Sequence, residues 1–335
     1  MKSLRCAFLS LVFFILSLSI SDNNICAQGK CLNDQRALLV QLNHSLYAEE
    51  EEVGITFISK RRSWNLSTDC CFSWEGITCD RVGHVISLDL SSENLLDGLS
   101  SWSSLFNLKY LVRLNLAYNS FDHDTSFLSK LHQLSNLNYL NLSNSGFSKQ
   151  LPVVISRMTR LATLDLSYSM SELNNLDLKI LTRNLTSLRE LVLDGTDMSV
   201  ASIEFVIMFS FGLNQLQYLD LSNNSFTGLI TSIGSPENLT TLCLSQNRLT
   251  GSLPSQWNKL LNLVDLDLTN NFLNGTIPMA LFTIPSLKYL HLSMNQFTGQ
   301  LGEFSNGSSS LLQLLDLSNN QLQGRIPLSI FQIPN

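Results

Sequence analysis

The side chains with reactive potential are few and scattered. Asp265 and Asp267 stand two residues apart, so on an extended strand both face one side. His291 occupies the equivalent place in the next copy of a recurring pattern described below. Together they could hold a cation weakly. Enzymatic chemistry would need a nucleophile, a base and an orienting group around a site that excludes water, and no such set accompanies them. An enzyme is not expected, and nothing calls for a cofactor. Of seven cysteines, Cys31, Cys70, Cys71 and Cys79 cluster where a small N-terminal unit would need covalent staples. Adjacent Cys70 and Cys71 cannot form a C-x-x-C zinc knuckle, so disulfides are expected rather than a metal site. Cys243 stands apart; it reads as a reactive thiol or, the preferred reading, as a tolerated substitution with no partner.

Export fits this cysteine usage. Lys2 and Arg5 precede the apolar run "AFLSLVFFILSLSI", residues 7–20. The run is shorter than the roughly 20 residues that span a bilayer and fits a secretory signal peptide over residues 1–27. Cleavage is expected after Ala27, with the bond after Ser21 as the alternative; a buried N-terminal helix is the competing reading. No other apolar run approaches spanning length. Glycosylation sequons stand at Asn43, Asn65, Asn141, Asn184, Asn223, Asn238, Asn274 and Asn306. The net charge of −6, with only 14% charged residues, argues against a nucleic-acid partner. An extracellular location follows.

The pattern that would position these groups is L-x-x-L-x-L-x-x-N-x-L. Clear copies are "LVRLNLAYNSF" (111–121), "LQYLDLSNNSF" (216–226), "LTTLCLSQNRL" (239–249), "LVDLDLTNNFL" (263–273), "LKYLHLSMNQF" (287–297) and "LQLLDLSNNQL" (312–322). Weaker copies start at Val85, Leu137, Leu161 and Leu188, giving ten starts at intervals of 23 to 28 residues. That is the period of leucine-rich repeats. The fold class expected over residues 85–335 is an α/β leucine-rich-repeat solenoid with a curved parallel β-sheet on its concave face. Alternate strand residues face opposite sides, so leucines fill the interior and the intervening residues point out. Asn119, Asn224, Asn247, Asn271, Asn295 and Asn320 turn inward at each strand end, where a carboxamide can pair backbone groups of adjacent turns. Glu93, Ser145, Ser169 and Thr196 replace it in the weaker copies, which should be looser or differently bonded. "GSLP" (251–254), "GTIP" (275–278) and "GRIP" (324–327) follow several strands and predict a second short sheet and a twisting solenoid.

The outward strand positions define a candidate binding face: Arg113, Tyr139, Asp165, Glu190, Tyr218, Asp220, Asp265, Asp267, Tyr289 and His291. Acidic groups interspersed with tyrosines suit a peptide or a basic protein loop. Against this, "LDLS" is ordinary repeat consensus, and a glycan on Asn141 would block binding nearby. Segments 168–187 and 194–215 are irregular, and "IEFVIMFSF" (203–211) is expected to pack as a convex helix.

Residues 28–84 read as an N-terminal cap. Leu38, Leu39, Leu42 and Leu46 share one helical face, and Asn33 or Asp34 can cap the helix start. From Cys31 to Leu39, through Trp64, Cys70, Cys71, Trp74, Gly76 and Cys79, to Gly83-His84-Val85, the chain resembles plant leucine-rich-repeat receptor-like proteins. "SRMTRLATLDLS" (156–167) and "LRELVLDGTDMS" (188–199) resemble the Verticillium-wilt immune receptors within that family. The resemblance implies a plant-type cap with the pairs Cys31–Cys70 and Cys71–Cys79, an extracellular peptide or protein ligand, a receptor-kinase co-receptor and defence signalling at the plasma membrane. Phe72 and "EEEE" (49–52) lengthen loops relative to the family pattern. The family's further repeats, cysteine-bearing C-cap and membrane helix are not in this sequence. A secreted inhibitor of a microbial cell-wall hydrolase and a truncated decoy or gene fragment are the alternatives. The last residues, "GRIPLSIFQIPN", align with "GTIPMALFTIPS" (275–286) and stop where an eleventh repeat would begin. Leu315, Leu317, Ile326 and Ile330 are therefore expected to lack a covering neighbour, leaving an end that frays or self-associates.

Overall fold

In the computed structural model, residues 29–50, 59–95, 102–121, 130–146, 151–168, 175–196, 213–230, 237–303 and 311–332 are described. The expected signal peptide, Ser169, Asn306 and segment 203–211 lie outside them. The chain divides into two compact units between Ser171 and Glu172.

The first unit opens with helix α1, Asn33–Glu50. Its buried stripe is Gln35, Leu39, Leu42 and Leu46, an i, i+4, i+7, i+11 row on one face. Leu38, expected in that row, is only half-buried. Asn33 and Asp34 lie exposed within the first turn and do not precede it. The capping carboxylate of this region is Asp69. It accepts from the Cys31 amide at 3.1 Å and from the Cys71 amide at 2.9 Å, starting the short helix Cys70–Ser73. Cys31 is bonded to Cys70 and Cys71 to Cys79, with Cα–Cα distances of 5.6 and 5.4 Å. Trp64 and Trp74 stack at 5.5 Å, and their indole N–H groups donate to the carbonyls of Glu75 and Asn65. At Gly83, φ is +102° and a Cβ would stand 2.0 Å from the Lys30 carbonyl oxygen, so only glycine lets these two chain segments touch.

Strand β1 (Ile77–Cys79) pairs antiparallel with β2 (Val85–Asp89). From β2 the pairing turns parallel through β3 (Arg113–Asn115), β4 (Tyr139–Asn141) and β5 (Thr163–Asp165). The register is set by the leucines: Leu88, Leu114, Leu140 and Leu164 stand opposite one another and are fully buried. Each contributes about 1.5–3 kcal/mol of burial.

The second unit continues the same plan. After a ten-residue helix, Asn175–Asn184, within the stretch expected to be irregular, come β6 (Glu190–Val192), β7 (Tyr218–Asp220), β9 (Thr241–Cys243), β11 (Asp265–Asp267), β13 (Tyr289–His291) and β15 (Leu314–Asp316), paired in parallel. A second parallel sheet joins β8 (Thr227–Leu229), β10 (Arg248–Ser252), β12 (Phe272–Gly275), β14 (Gln296–Gly299) and β16 (Gln321–Leu322). It takes in Gly251 and Gly275 of two G-x-[IL]-P segments, while Gly324 of the third lies just beyond β16. The last described repeat is thinly covered. Leu315 and Leu317 are half-buried, and Ile326 is 64% exposed, whereas Leu290 and Leu292 of the preceding repeat are fully buried.

Inward asparagines tie the turns together. Asn247 accepts from the amides of Asn224 and Phe226 and donates to the carbonyls of Leu221 and Leu244. Asn271, Asn295 and Asn320 repeat the scheme one turn further each. Asn224 donates to the Leu193 carbonyl, and Asn119 does the same work in the first unit. Ser145 and Thr196 are differently bonded: their hydroxyls reach the carbonyls of Leu116 and Leu193. Glu93 does something else. It is buried, and its carboxylate accepts from the Lys60 amide at 2.9 Å, from Ser59 Oγ, and from Arg61 Nε at 3.0 Å. The Glu93–Arg61 ion pair is almost wholly buried and bolts the cap onto the first repeat.

The residue before each ladder position takes a left-handed backbone, with φ between +49° and +58° at Ser92, Tyr118, Asn144, Tyr168, Asn223, Gln246, Asn270, Met294 and Asn319. Asparagine tolerates this conformation; for other non-glycine residues it costs about 1–2 kcal/mol.

Candidate ligand-binding face

Each strand presents two outward residues, and the parallel register lines them up. In the first unit Ser87, Arg113, Tyr139 and Thr163 form one row, and Asp89, Asn115, Asn141 and Asp165 the next. In the second unit the rows are Glu190, Tyr218, Thr241, Asp265, Tyr289, Leu314 and Val192, Asp220, Cys243, Asp267, His291, Asp316. Every candidate face residue thus stands in one of these rows.

The two rows differ in what their side chains already do. In the second, the carboxylate or carboxamide oxygen bonds the amide two residues on. Asp89 accepts from Ser91, Asn115 from Ala117, Asn141 from Ser143, Asp165 from Ser167, Asp220 from Ser222, Asp267 from Thr269 and Asp316 from Ser318, at 2.8 to 3.1 Å. This closes an Asx turn where the strand ends. The recurrence of "LDLS" therefore has a structural cause. In the first row the residue types vary from repeat to repeat. There the Arg113 guanidinium lies over the Tyr139 ring, 4.1 Å from its centroid. Tyr139 is nearly buried, and burial, reinforced by nearby carboxylates, pushes its hydroxyl up to about 12, so it is a neutral donor at physiological pH. Tyr289 donates to Gln313 Oε1 at 3.0 Å. Burial pushes the Asp220 carboxyl up to about 7.

Sequence reasoning passed over the near end of this surface. Lys60 donates to Asp89 Oδ1 at 2.8 Å and to the Ser91 hydroxyl and carbonyl. Burial, which raises the Asp89 carboxyl, is outweighed by the bonds from Lys60 and Ser91, so it sits below its ordinary range. A second asparagine row on the opposite edge was also missed. Asn136, Asn238 and Asn262 donate to the carbonyls of Lys109, Asn214 and Glu237 in the preceding repeat. Its signal was the Asn-Leu pair that opens these repeats.

Asp265, Asp267 and His291 do not converge as a cation site. Among the described residues the sole set of three ligand-type side chains with converging atoms is Cys31, Cys70 and Cys71, which are held in the two disulfides. Cys243 is fully buried. Among the sequons, Asn65, Asn184, Asn223, Asn238 and Asn274 are exposed, whereas Asn43 and Asn141 are half-buried. Arg61 Nη1 donates to Asn43 Oδ1 at 3.4 Å. No described helix is long and apolar enough to cross a membrane.

Comparison with known proteins agrees with this geometry. The leucine-rich-repeat family profiles match residues 215–235, 237–297 and 311–333. Receptor-like protein 6 of Arabidopsis thaliana is 35% identical over 309 residues, covering 85% of this chain and 30% of that protein. Receptor-like protein Cf-9 of Solanum pimpinellifolium is 30% identical over 301 residues, covering 86% and 34%. The chain thus spans about a third of the length of these relatives. Among solved structures, the Arabidopsis receptor kinase HAESA, in complex with the peptide hormone IDA and the co-receptor SERK1, superposes with a TM-score of 0.67 at 27% identity. That match covers 90% of this chain and 52% of HAESA.

Proposed function

We propose that this chain, a leucine-rich-repeat protein of the plant receptor-like class, is the ligand-binding part of a cell-surface receptor and takes an extracellular peptide or protein on the outward rows of its strands. The observation that carries the reading is the division of labour between those rows. One is occupied by turn-closing bonds, while the other displays Arg113, Tyr139, Glu190, Tyr218, Asp265 and Tyr289, a series that differs at nearly every repeat. A scaffold that repeats its interior and, within each unit, varies one outward-facing column suits the reading of an extended ligand. Rigid tyrosines supply contact area at low entropic cost. The carboxylates favour a ligand with basic groups. The proposal extends to a role in defence, with the signal passed to a partner receptor kinase, as the resemblance of the cap and repeats implies; HAESA, a similar ectodomain, is seen with a co-receptor.

The test is selection of peptides from a random library on the purified chain. The reading expects basic, extended sequences that lose binding when the variable row is substituted and keep it when the exposed Asn184, outside the strand rows, is changed. In parallel the chain is assayed against fungal polygalacturonase. Strong inhibition there, with no selectable peptide, would replace the receptor reading with that of a secreted inhibitor.

A further inference from the structure

The sequon at Asn65 has a distinctive setting. Asn65 is exposed, and its side-chain oxygen accepts from both the amide and the hydroxyl of Ser67, at 2.9 Å each. Both bonds use the oxygen. The carboxamide nitrogen, the atom that carries an N-linked glycan, is left without a bond among the described residues. Asn43 and Asn141 are half-buried by contrast, and their oxygens accept from Arg61 and from the Ser143 amide. The loop beneath Asn65 is fixed. The Asn65 amide donates to the Ser63 carbonyl, while the Thr68 amide and Trp74 Nε1 both donate to the Asn65 carbonyl. A group attached at Asn65 therefore starts from a defined point.

The next residue points to where such a group goes. Leu66 is 62% exposed and lines a groove of about 730 Å³ against α1. Ala37, Leu38 and Val40 add apolar surface to this groove, and Arg36 and Gln41 bring hydrogen-bonding groups. Ala37 and Gln41 stand one turn apart on the exposed side of α1, away from its buried stripe. Apolar surface with a few polar groups suits a sugar, since a pyranose ring has a C–H face and a rim of hydroxyls. N-acetylglucosamine adds an acetamide, with one donor and one acceptor. The volume falls within the range of about 300–1,000 Å³ typical of small-ligand sites. The covalent link selects the occupant, because a glycan on Asn65 begins one residue from Leu66. We propose that the innermost N-acetylglucosamine residues of an N-linked glycan on Asn65 lie in this groove and cover Leu66. The outer face of α1 is then a surface for the chain's own glycan. This inference does not depend on the function proposed above.

The experiment takes the chain secreted by cells that leave N-linked glycans in the high-mannose form. An endoglycosidase that cuts between the two innermost N-acetylglucosamines is added, and cleavage at Asn65 is followed by the mass of its peptide. The native chain is expected to lose this glycan about tenfold more slowly than the denatured chain. Leu38→Ser and Leu66→Ser keep the sequon and alter only half-buried or exposed surface. Each should raise the native rate about threefold, and the two together should bring it to the denatured rate. The thermal midpoint is measured alongside; if Leu38→Ser lowers it, the exposed Leu66→Ser decides alone. A secreted chain with no glycan on Asn65 overturns the proposal. So do equal rates in native and denatured chain, or protection that survives the substitutions.

Discussion

The first and second units solve the same problem with different parts. From Asn224 to Asn320 the second unit repeats one device: an inward carboxamide that donates to a carbonyl of the preceding turn, and a second sheet beside the first. In the first unit the ladder position is Glu93, then Asn119, then Ser145, and stability is concentrated in single features: two disulfides, a tryptophan stack and a buried ion pair. A distributed scaffold should yield gradually to substitution, whereas a concentrated one should fail at a few residues.

The largest effect is expected at the bolt between cap and first repeat. Glu93→Ala leaves Arg61 buried without its carboxylate and should cost about 3–5 kcal/mol. Chemical denaturation, with amide exchange read in α1, would measure it. Adding Arg61→Met should recover much of the loss, since removing both charges is far milder than orphaning one. Replacing Cys31 and Cys70 together by serine should cost about 3 kcal/mol, through release of the 39-residue span they close. That is read as a lower denaturation midpoint and earlier proteolysis of the cap. In the second unit Asn271→Ala should cost about 1–3 kcal/mol and speed exchange at the Leu249 amide. A loss there as large as at Glu93 would erase the contrast between the units.

The smallest effect concerns pH. The Asp89 carboxyl is held below its ordinary range, so the folded state prefers it ionised. Its contribution is present above the unfolded value near 4 and is lost as pH falls through the lower folded value. The side chain is 40% exposed, so the contribution is below about 1 kcal/mol. Asp89→Asn should be slightly less stable at neutral pH and should converge with the natural protein in acid. Equal acid sensitivity in both would remove this pair from the account.

Much of the scaffold was legible in the sequence because burial recurs with a fixed register. The leucines that pattern alone assigns to the interior are buried as far as Leu292, with Leu315 and Leu317 of the last repeat only half-buried, and the six clear asparagines all bond neighbouring turns. What escaped was decided by partners distant in sequence. Glu93 read as a weak ladder residue because its partners, Ser59, Lys60 and Arg61, lie in an unremarkable basic run before Trp64. The α1 stripe was misjudged by one position, since leucine periodicity cannot show that Gln35 lies on the buried side. On the outward rows, the sequence placed each candidate residue but could not show which row closes turns; only the hydrogen bonds do that.

That separation is tested most directly by titrating a peptide selected on this chain against three forms of it: unaltered, Tyr139→Ala and Asp316→Ala. Tyr139 belongs to the variable row and Asp316 to the turn-closing row. A loss of affinity of about thirtyfold or more at Tyr139, with little change at Asp316, is the predicted result. Equal losses at both, or no loss at Tyr139, would contradict the assignment of recognition to the variable row.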